Sequence, residues 1–372
     1  MIRWILVLQF VSNFCFGALI PIIPVLNLES AGWAFTAFSL FKCLAFAPSG
    51  IVADRLGNRA AVGVSLLLQA LAMGTLIALP GMAWLGRMEE GIGLALGTIA
   101  CLGWCRELAP DPGAFARLVQ SLLSVGGLGY IVGPLAGFAL SARFGTGPVL
   151  WFLLIVNGTA CLGQFAWGAH PGGKAVLEVV QAPVPEASHP GREGGLRWKV
   201  ALGAAKCLGL GWQPVLGWWA IQRIGLSPVA SGLSFLVLGA GFSLGAKWRI
   251  RGGWILGALG FVCLELSLRS GPTALIGFWW GAVAMLGVWF GRSVTESVGR
   301  LGWNSPESLG KLNARWLLAT DLPAAFVPVV LWQFRDDAGA PWRWGLGGVL
   351  LLVSTGASVL PLKRHPEMIS AP

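Results

Sequence analysis

Residues 50–59 read GIVADRLGNR and lie between two apolar runs, each long enough to cross a lipid bilayer. The stretch combines one acid and two arginines with two glycines: Asp54, Arg55, Arg59, Gly50 and Gly57. Glycines let helix ends approach closely, and the carboxylate and arginines suit helix termini or one another. The stretch predicts a short charged turn that acts as a clasp or, alternatively, a loop whose basic residues serve orientation alone.

The rest of the chain has the composition of a polytopic helical membrane protein. Apolar residues make up 55% of the 372 positions, charged residues only 11%, and the mean hydropathy is +0.72. A soluble domain of this length needs more charge at its surface. Ten-residue segments of alternating hydropathy, which are typical of membrane barrels, do not occur in the sequence. We therefore expect an all-α polytopic fold.

Enzyme chemistry finds little support in the sequence. The seven cysteines fall inside apolar runs without a C-x-x-C pair, and the three histidines lie outside those runs. This distribution argues against a catalytic triad or a buried metal site. We expect a chain that is not an enzyme and that has no catalytic residue, metal or cofactor.

Apolar runs separated by glycine, proline and charge predict twelve membrane helices. They cover residues 3–26, 31–53, 60–80, 83–105, 115–140, 147–168, 197–221, 227–247, 253–269, 272–291, 312–333 and 343–362. A segment rich in proline, glycine and charge predicts a cytoplasmic linker over 169–196. The predicted domains are six-helix bundles over 1–168 and 197–364, joined by this linker and followed by a cytoplasmic tail over 365–372.

Lysine and arginine are distributed unevenly between the two sides of these helices. Eighteen of the 26 fall on the side of the N-terminus and five on the opposite side. Because cytoplasmic loops are enriched in basic residues, both termini are predicted to be cytoplasmic, in a multi-pass protein of the plasma (inner) membrane. The net charge of +10 is spread over many loops, which predicts no nucleic-acid partner.

The two halves of the chain resemble each other at a constant offset of 194 residues. Arg3-Trp4 aligns with Arg197-Trp198, and Pro134 aligns with Pro328. The basic residues Arg106 and Arg117 align with Arg300 and Lys311. Two six-helix halves related by a parallel repeat are typical of transporters whose site lies at the membrane midplane between the halves.

Three patterns fall at distinct places among the predicted helices. They are Gly50, Asp54, Arg55, Gly57 and Arg59 between helices 2 and 3; Arg87, Glu90, Gly91 and Gly93 in helix 4; and Gly129, Gly133, Pro134 and Gly137 in helix 5. They resemble the signatures G-x-x-x-D-R-x-G-x-[RK], R-x-x-Q-G-x-G-x-A and G-x-x-x-G-P-x-x-G of the major facilitator superfamily, as found in its twelve-helix drug:proton antiporter branch.

The sequence differs from the family signatures at four positions. Asn58 stands where a basic residue is common, Glu90 replaces a glutamine, and Gln120 and Phe138 stand where glycines are usual. The corresponding loop of the second half, GAKWRIRG, has Arg249 in place of the acid.

The resemblance implies a transporter that works by alternating access. Two six-helix bundles rock around a central cavity, the loop between helices 2 and 3 acts as a gating clasp, and the glycine- and proline-rich helix 5 is associated with exporters that exchange solute for protons. We expect a small-molecule solute, protons as the coupling ion, the lipid bilayer as surroundings, and a monomer.

Polar and ionisable residues inside the predicted helices are candidates for lining the cavity or for coupling. They are Asp321, Lys42, Lys206, Gln9, Asn13 and Gln213. Snorkelling is an alternative for Lys206, and interhelical hydrogen bonding is an alternative for the amides. Asp321 ranks first as proton carrier because no basic residue lies one turn away in its helix; whether Lys42 or Lys206 reaches it across the cavity is left open. Glu90 ranks second, because Arg87 beside it favours a standing ion pair.

The leading hypothesis is proton-coupled export of small, partly apolar organic solutes, with Trp212, Trp279, Trp280 and Trp289 as possible aromatic walls. The alternative is an importer or uniporter of an organic anion, indicated by Lys42, Arg87 and Lys206. A further alternative is a non-transporting scaffold or sensor that keeps the same fold.

Overall fold

The computed structural model describes residues 1–168, 192–209, 212–247, 253–269, 276–300, 309–335, 346–350 and 352–353. In the first half the helices are α1 Ile2–Leu19, α2 Ile22–Leu26, α3 Ala31–Leu56, α4 Asn58–Ala78, α5 Ala83–Leu108, α6 Pro112–Phe144 and α7 Thr146–Gly168. In the second half they are α8 Arg192–Gly209, α9 Gln213–Gln222, α10 Pro228–Lys247, α11 Gly253–Arg269, α12 Ile276–Arg300 and α13 Leu309–Gln333.

The predicted all-α polytopic fold is confirmed. Within the described ranges, seven helices are long and apolar enough to cross a membrane: α1, α3, α4, α6, α7, α10 and the segment Pro80–Leu108 that contains α5. A count of twelve, the domain boundaries, the linker and the tail stay predictions.

Two predicted spans are divided by breaks. The first, predicted over 3–26, is split into α1 and α2 at Ile20 and Pro21. The seventh, predicted over 197–221, is split into α8 and α9, and Pro214 lies at the start of α9. Proline has no N–H to continue the helical hydrogen bonds, so each helix is interrupted near a proline. Hydropathy alone does not show these breaks, because the residues on both sides are apolar.

The helix packing repeats between the halves. The pair α1–α6 corresponds to α8–α13, α3–α5 corresponds to α10–α12, and α4–α5 corresponds to α11–α12. The contacts between the halves follow the same relation, because α3 packs against α13 and α6 packs against α10. This arrangement is the pseudo-two-fold packing expected for a parallel repeat.

Glycines allow the backbones of α1 and α6 to touch. A Cβ atom on Gly129 would lie 2.5 Å from the carbonyl oxygen of Phe10, and Gly133 and Gly137 approach the carbonyls of Phe14 and Ala18 in the same way. Because real Cβ atoms do not come this close, the glycines of the helix 5 pattern hold α6 against α1.

Gly129→Ala is expected to lower the melting temperature of the purified protein, because the added methyl group must push α6 away from α1 at a cost of about 1–3 kcal/mol. Gly127→Ala is the matched control, since no atom lies within 4 Å of its Cβ position. The control should leave stability unchanged or raise it by up to about 1 kcal/mol, since alanine favours helix. Equal melting temperatures for the two variants would contradict this packing role.

Candidate functional site

An ion pair joins α8 to α13 near the seam between the halves. Lys206 Nζ contacts Asp321 Oδ1, and the two side chains are 13% and 14% exposed. The pair is therefore partly open rather than sealed in the protein. Lys206 is the basic residue that reaches Asp321, one of the two possibilities that the sequence left open.

Lys42 approaches the same region from α3 in the other half. It is half-buried, and its ammonium group lies 5.8 Å from the centre of the Phe46 ring. Within the described residues it has no ion-pair or hydrogen-bond partner. The thiol of its neighbour Cys43 lies within electrostatic range of Asp321, Lys42 and Lys206. We call Lys42, Lys206 and Asp321 the central cluster; it draws charges from both halves.

Two of the predicted amides, Gln9 and Asn13, lie on α1 against α6. Gln9 and Asn13 are half-buried and face Gly126 of α6, 3.0 and 3.2 Å from its Cβ position. The Asn13 amide donates to the carbonyl of Gln9 at 2.9 Å within its own helix. The side chain of Gln213 lies outside the described residues, so its predicted cavity role stays a prediction.

The helix 4 pattern forms a second ion pair inside the first half. Arg87 Nη1 contacts Glu90 Oε2, and the side chains are 0% and 1% exposed. The Arg87 guanidinium lies over the rings of Phe38, Phe16 and Phe35 at 4.4, 5.2 and 5.7 Å. Gly91 and Gly93 let α5 approach the backbones of α3 and α4.

The stretch GIVADRLGNR is helical except at one residue: residues 50–56 end α3, and Asn58 and Arg59 begin α4. The chain turns between the two helices at Gly57, whose φ of +80° favours glycine. Asp54 and Arg55 are exposed and have no ion-pair partner within the described part of the chain. Arg59 lies 5.6 Å from the Trp104 ring. Any clasp between Asp54 and the other half therefore stays a prediction.

Asn58, which stands where a basic residue is common in this signature, forms a side-chain hydrogen bond. Its amide donates to Glu107 Oε1 at 2.7 Å and ties the start of α4 to the end of α5. Glu107 is not predicted from the sequence; the available signal is an acid at the inner end of predicted helix 4, on the same side of the membrane as GIVADRLGNR.

The halves close against each other where α3 begins and α13 ends. Trp332 Nε1 donates to the carbonyl of Leu28 at 2.7 Å, and the Trp332 ring lies 6.4 Å from that of Phe35. A Cβ on Gly32 would lie 2.6 Å from Trp332 Cβ, so α3 and α13 are in close contact. The Arg335 guanidinium covers the Trp332 ring at 5.4 Å. We call Leu28, Gly32, Phe35, Trp332 and Arg335 the latch.

Trp332 of the latch is not among the tryptophans that the sequence singles out. Trp212, Trp279 and Trp289 are buried in the second half at 2%, 0% and 1% exposure. Trp212 and Trp289 line a small apolar cavity inside this half, and the role of these tryptophans as walls for a solute stays a prediction. Trp332 instead lies near a helix end, where tryptophans are common for interfacial reasons, so its role was not apparent.

The comparison with known sequence families agrees with this architecture. A family model described as "Major Facilitator Superfamily" matches residues 5–299. The chain belongs to the Major Facilitator Superfamily. It is therefore a membrane transporter by family, and members of this superfamily move small-molecule solutes across lipid bilayers. Among curated proteins, no sequence matches the chain.

Solved structures of superfamily transporters share its fold. The human organic anion transporter MFSD10 (TETRAN) is 16% identical, with 95% of this chain and 98% of that chain covered and a TM-score of 0.64. A bacterial homolog of the human lysosomal transporter Spinster, inward-facing and occupied, is 15% identical, with 96% and 90% covered and a TM-score of 0.67. Its unoccupied form is also 15% identical, with 96% and 92% covered and a TM-score of 0.67.

Trp332→Ala is expected to open the latch end of this superfamily member, because it removes a hydrogen bond and ring contacts between the halves. With Cys43 as the sole cysteine, labelling by a membrane-impermeant maleimide from the predicted outer side should rise roughly tenfold. Trp33→Ala is the control, because Trp33 adjoins Gly32 but is 55% exposed. Equal labelling of Cys43 in both variants would mean that Trp332 does not hold the halves closed.

Proposed function

We propose that the chain transports small organic anions by alternating access, with the central cluster as the site that holds the anionic group. The observation that supports this proposal is Lys42. It lies midway along α3 without an ion-pair partner in the described residues, beside a lysine and an acid that already pair with each other. The cluster therefore has one positive charge in excess.

The energetics favour an anion as the missing partner. An ionised lysine at membrane depth costs about 3 kcal/mol or more on insertion scales unless a counter-charge or water is near. A solute carboxylate supplies that charge at Lys42 and can also compete with Asp321 for Lys206. The human neighbour is by its title an organic anion transporter, and we propose the same solute class for this chain.

A second candidate is proton-coupled export of small, partly apolar solutes, as in the drug:proton antiporter branch. The observation that favours it is the partial exposure of the Lys206–Asp321 pair, because an acid that water can reach is able to exchange a proton once its lysine is displaced. Glu90 is the weaker carrier in this proposal, since it is sealed against Arg87. A non-transporting scaffold on the same fold is the outcome if no solute exchange is found.

The proposal includes a topology and a location. Both termini face the cytoplasm, the protein lies in the plasma membrane, and the monomer is the working unit. The latch then faces outward, and the GIVADRLGNR turn faces the cytoplasm. The two bundles over 1–168 and 197–364 are the bodies that move.

Lys42→Gln is expected to raise the half-saturating concentration of an organic anion at least about tenfold in proteoliposome counterflow, which corresponds to about 1.4 kcal/mol for one lost charge contact. Arg143→Gln, at the exposed end of α6, is the control and should transport normally. The transport of a neutral analogue should be unchanged in both variants. If Lys42→Gln transports anions with unaltered half-saturation, the anion site is not at Lys42.

Asp321→Asn is expected to abolish accumulation driven by a pH gradient while downhill exchange of solute persists, because the amide cannot carry a proton. Glu90→Gln is the comparison variant and should keep pH-driven accumulation if Asp321 is the carrier. Full pH-driven transport in Asp321→Asn would exclude Asp321 as the carrier. The same result in both variants would exclude both carriers and argue against proton coupling.

A further inference from the structure

The register between α3 and α13 places Lys42 and Asp321 at the same depth in the seam. The two helices pack together with the start of α3 at Gly32 beside the end of α13 at Trp332, so they run antiparallel. Lys42 follows Gly32 by ten residues, and Asp321 precedes Trp332 by eleven. With a rise of 1.5 Å per residue, each lies about 15–17 Å along its helix from this contact.

Helical periodicity also places both residues on the sides of their helices that meet in the seam. On α3, Lys42 lies seven residues after Phe35, whose ring packs 6.4 Å from that of Trp332. On α13, Asp321 lies eleven residues before Trp332. Offsets of seven and eleven residues return to nearly the same side of an α-helix. Lys42 and Asp321 therefore face each other across the seam.

A second lysine meets them there. The Lys206 ammonium group contacts the Asp321 carboxylate from α8. The Cys43 thiol of α3 lies within electrostatic range of all three charged groups of the central cluster, and the Cys207 thiol of α8 lies within range of Asp321. The helix α9, which also packs on α13, carries no titratable residue. Two ammonium groups, one from each half, thus lie around one carboxylate.

We propose that the solutes are dicarboxylates, with one carboxylate bound by Lys42 and the other by Lys206, while Asp321 takes up a proton from water. This inference rests on the proposed anion transport and narrows its substrate class. The proton is required because three carboxylates beside two ammonium groups would leave a negative charge unpaired inside the membrane. A protonated Asp321 also releases Lys206 for the solute and can itself donate a hydrogen bond.

Three compounds of nearly equal size separate the charges at pH 7: glutarate, its monoamide glutaramate and its diamide glutaramide. Binding to the purified full chain is measured by calorimetry in two buffers of different ionisation enthalpy, so that proton uptake is counted. We expect glutarate to bind roughly tenfold more tightly than glutaramate, and glutaramate roughly tenfold more tightly than glutaramide. Glutarate should bind with uptake of about one proton, and glutaramate with none.

Variants of the central cluster assign each charge. Asp321→Asn resembles the protonated acid, so it should keep the preference for glutarate over glutaramate and take up no proton. Lys206→Gln combined with Asp321→Asn removes both charges of the ion pair, so neither is left unpaired. This double variant should bind glutarate and glutaramate within about twofold of each other. Arg143→Gln, at the exposed end of α6, is the control and should match the unmodified chain.

The outcomes distinguish this inference from the function on which it rests. Equal binding of glutarate and glutaramate, with glutaramide rejected, would overturn the dicarboxylate site and leave anion transport in place. Equal binding of all three compounds, or of none, would overturn the proposed anion transport itself. A preference for glutarate that survives in the double variant would place the second carboxylate away from Lys206. Glutarate binding without proton uptake would exclude Asp321 as the proton site, and this measurement holds even if the double variant fails to fold.

Discussion

The packing of the two halves depends on one constraint, which is that charged side chains inside the membrane must be neutralised. The two described ion pairs at membrane depth each lie within one half of the chain, Arg87 with Glu90 on α5 and Lys206 with Asp321 between α8 and α13. Glu90 and Asp321 are thus each neutralised within their own bundle, and the bundles can move relative to each other without separating either of these two pairs. Separation of a buried pair costs several kcal/mol, which would oppose a transport cycle.

The contacts between the halves are correspondingly of a different kind. At the latch they consist of rings, the close approach at Gly32 and the hydrogen bond from Trp332 to Leu28. On the other seam Gly232 of α10 lies against the backbone of Leu135 of α6. Such surfaces separate at a lower cost than ion pairs do. Phe35 lies against both Trp332 and Arg87, so its ring connects the latch with the buried ion pair.

The sequence predicted what depends on local pattern and left open what depends on packing. Hydropathy and the three signatures were sufficient for the fold class, and the spacing of Arg87 and Glu90 allowed their contact to be foreseen. Lys206 and Asp321 are 115 residues apart, so their pairing requires knowledge of which helices are neighbours. The Asn58–Glu107 bond and the latch at Trp332 depend on the same information, and the breaks at Pro21 and near Pro214 were hidden in apolar runs.

The position of Lys42 explains why its charge cannot be dismissed as interfacial. With a rise of 1.5 Å per residue it lies about 16 Å from the start of α3 and about 21 Å from its end, farther than a lysine side chain extends. In the proposed cycle the central cluster carries one positive charge when empty and none when it holds a monoanion. A charge that crosses the membrane field changes the free energy by about 2.3 kcal/mol per 100 mV. The loaded form therefore reorients without electrical work, whereas the empty form moves with or against the membrane potential. Exchange of one anion for another is then the least hindered mode of transport, because it avoids reorientation of the empty, charged site.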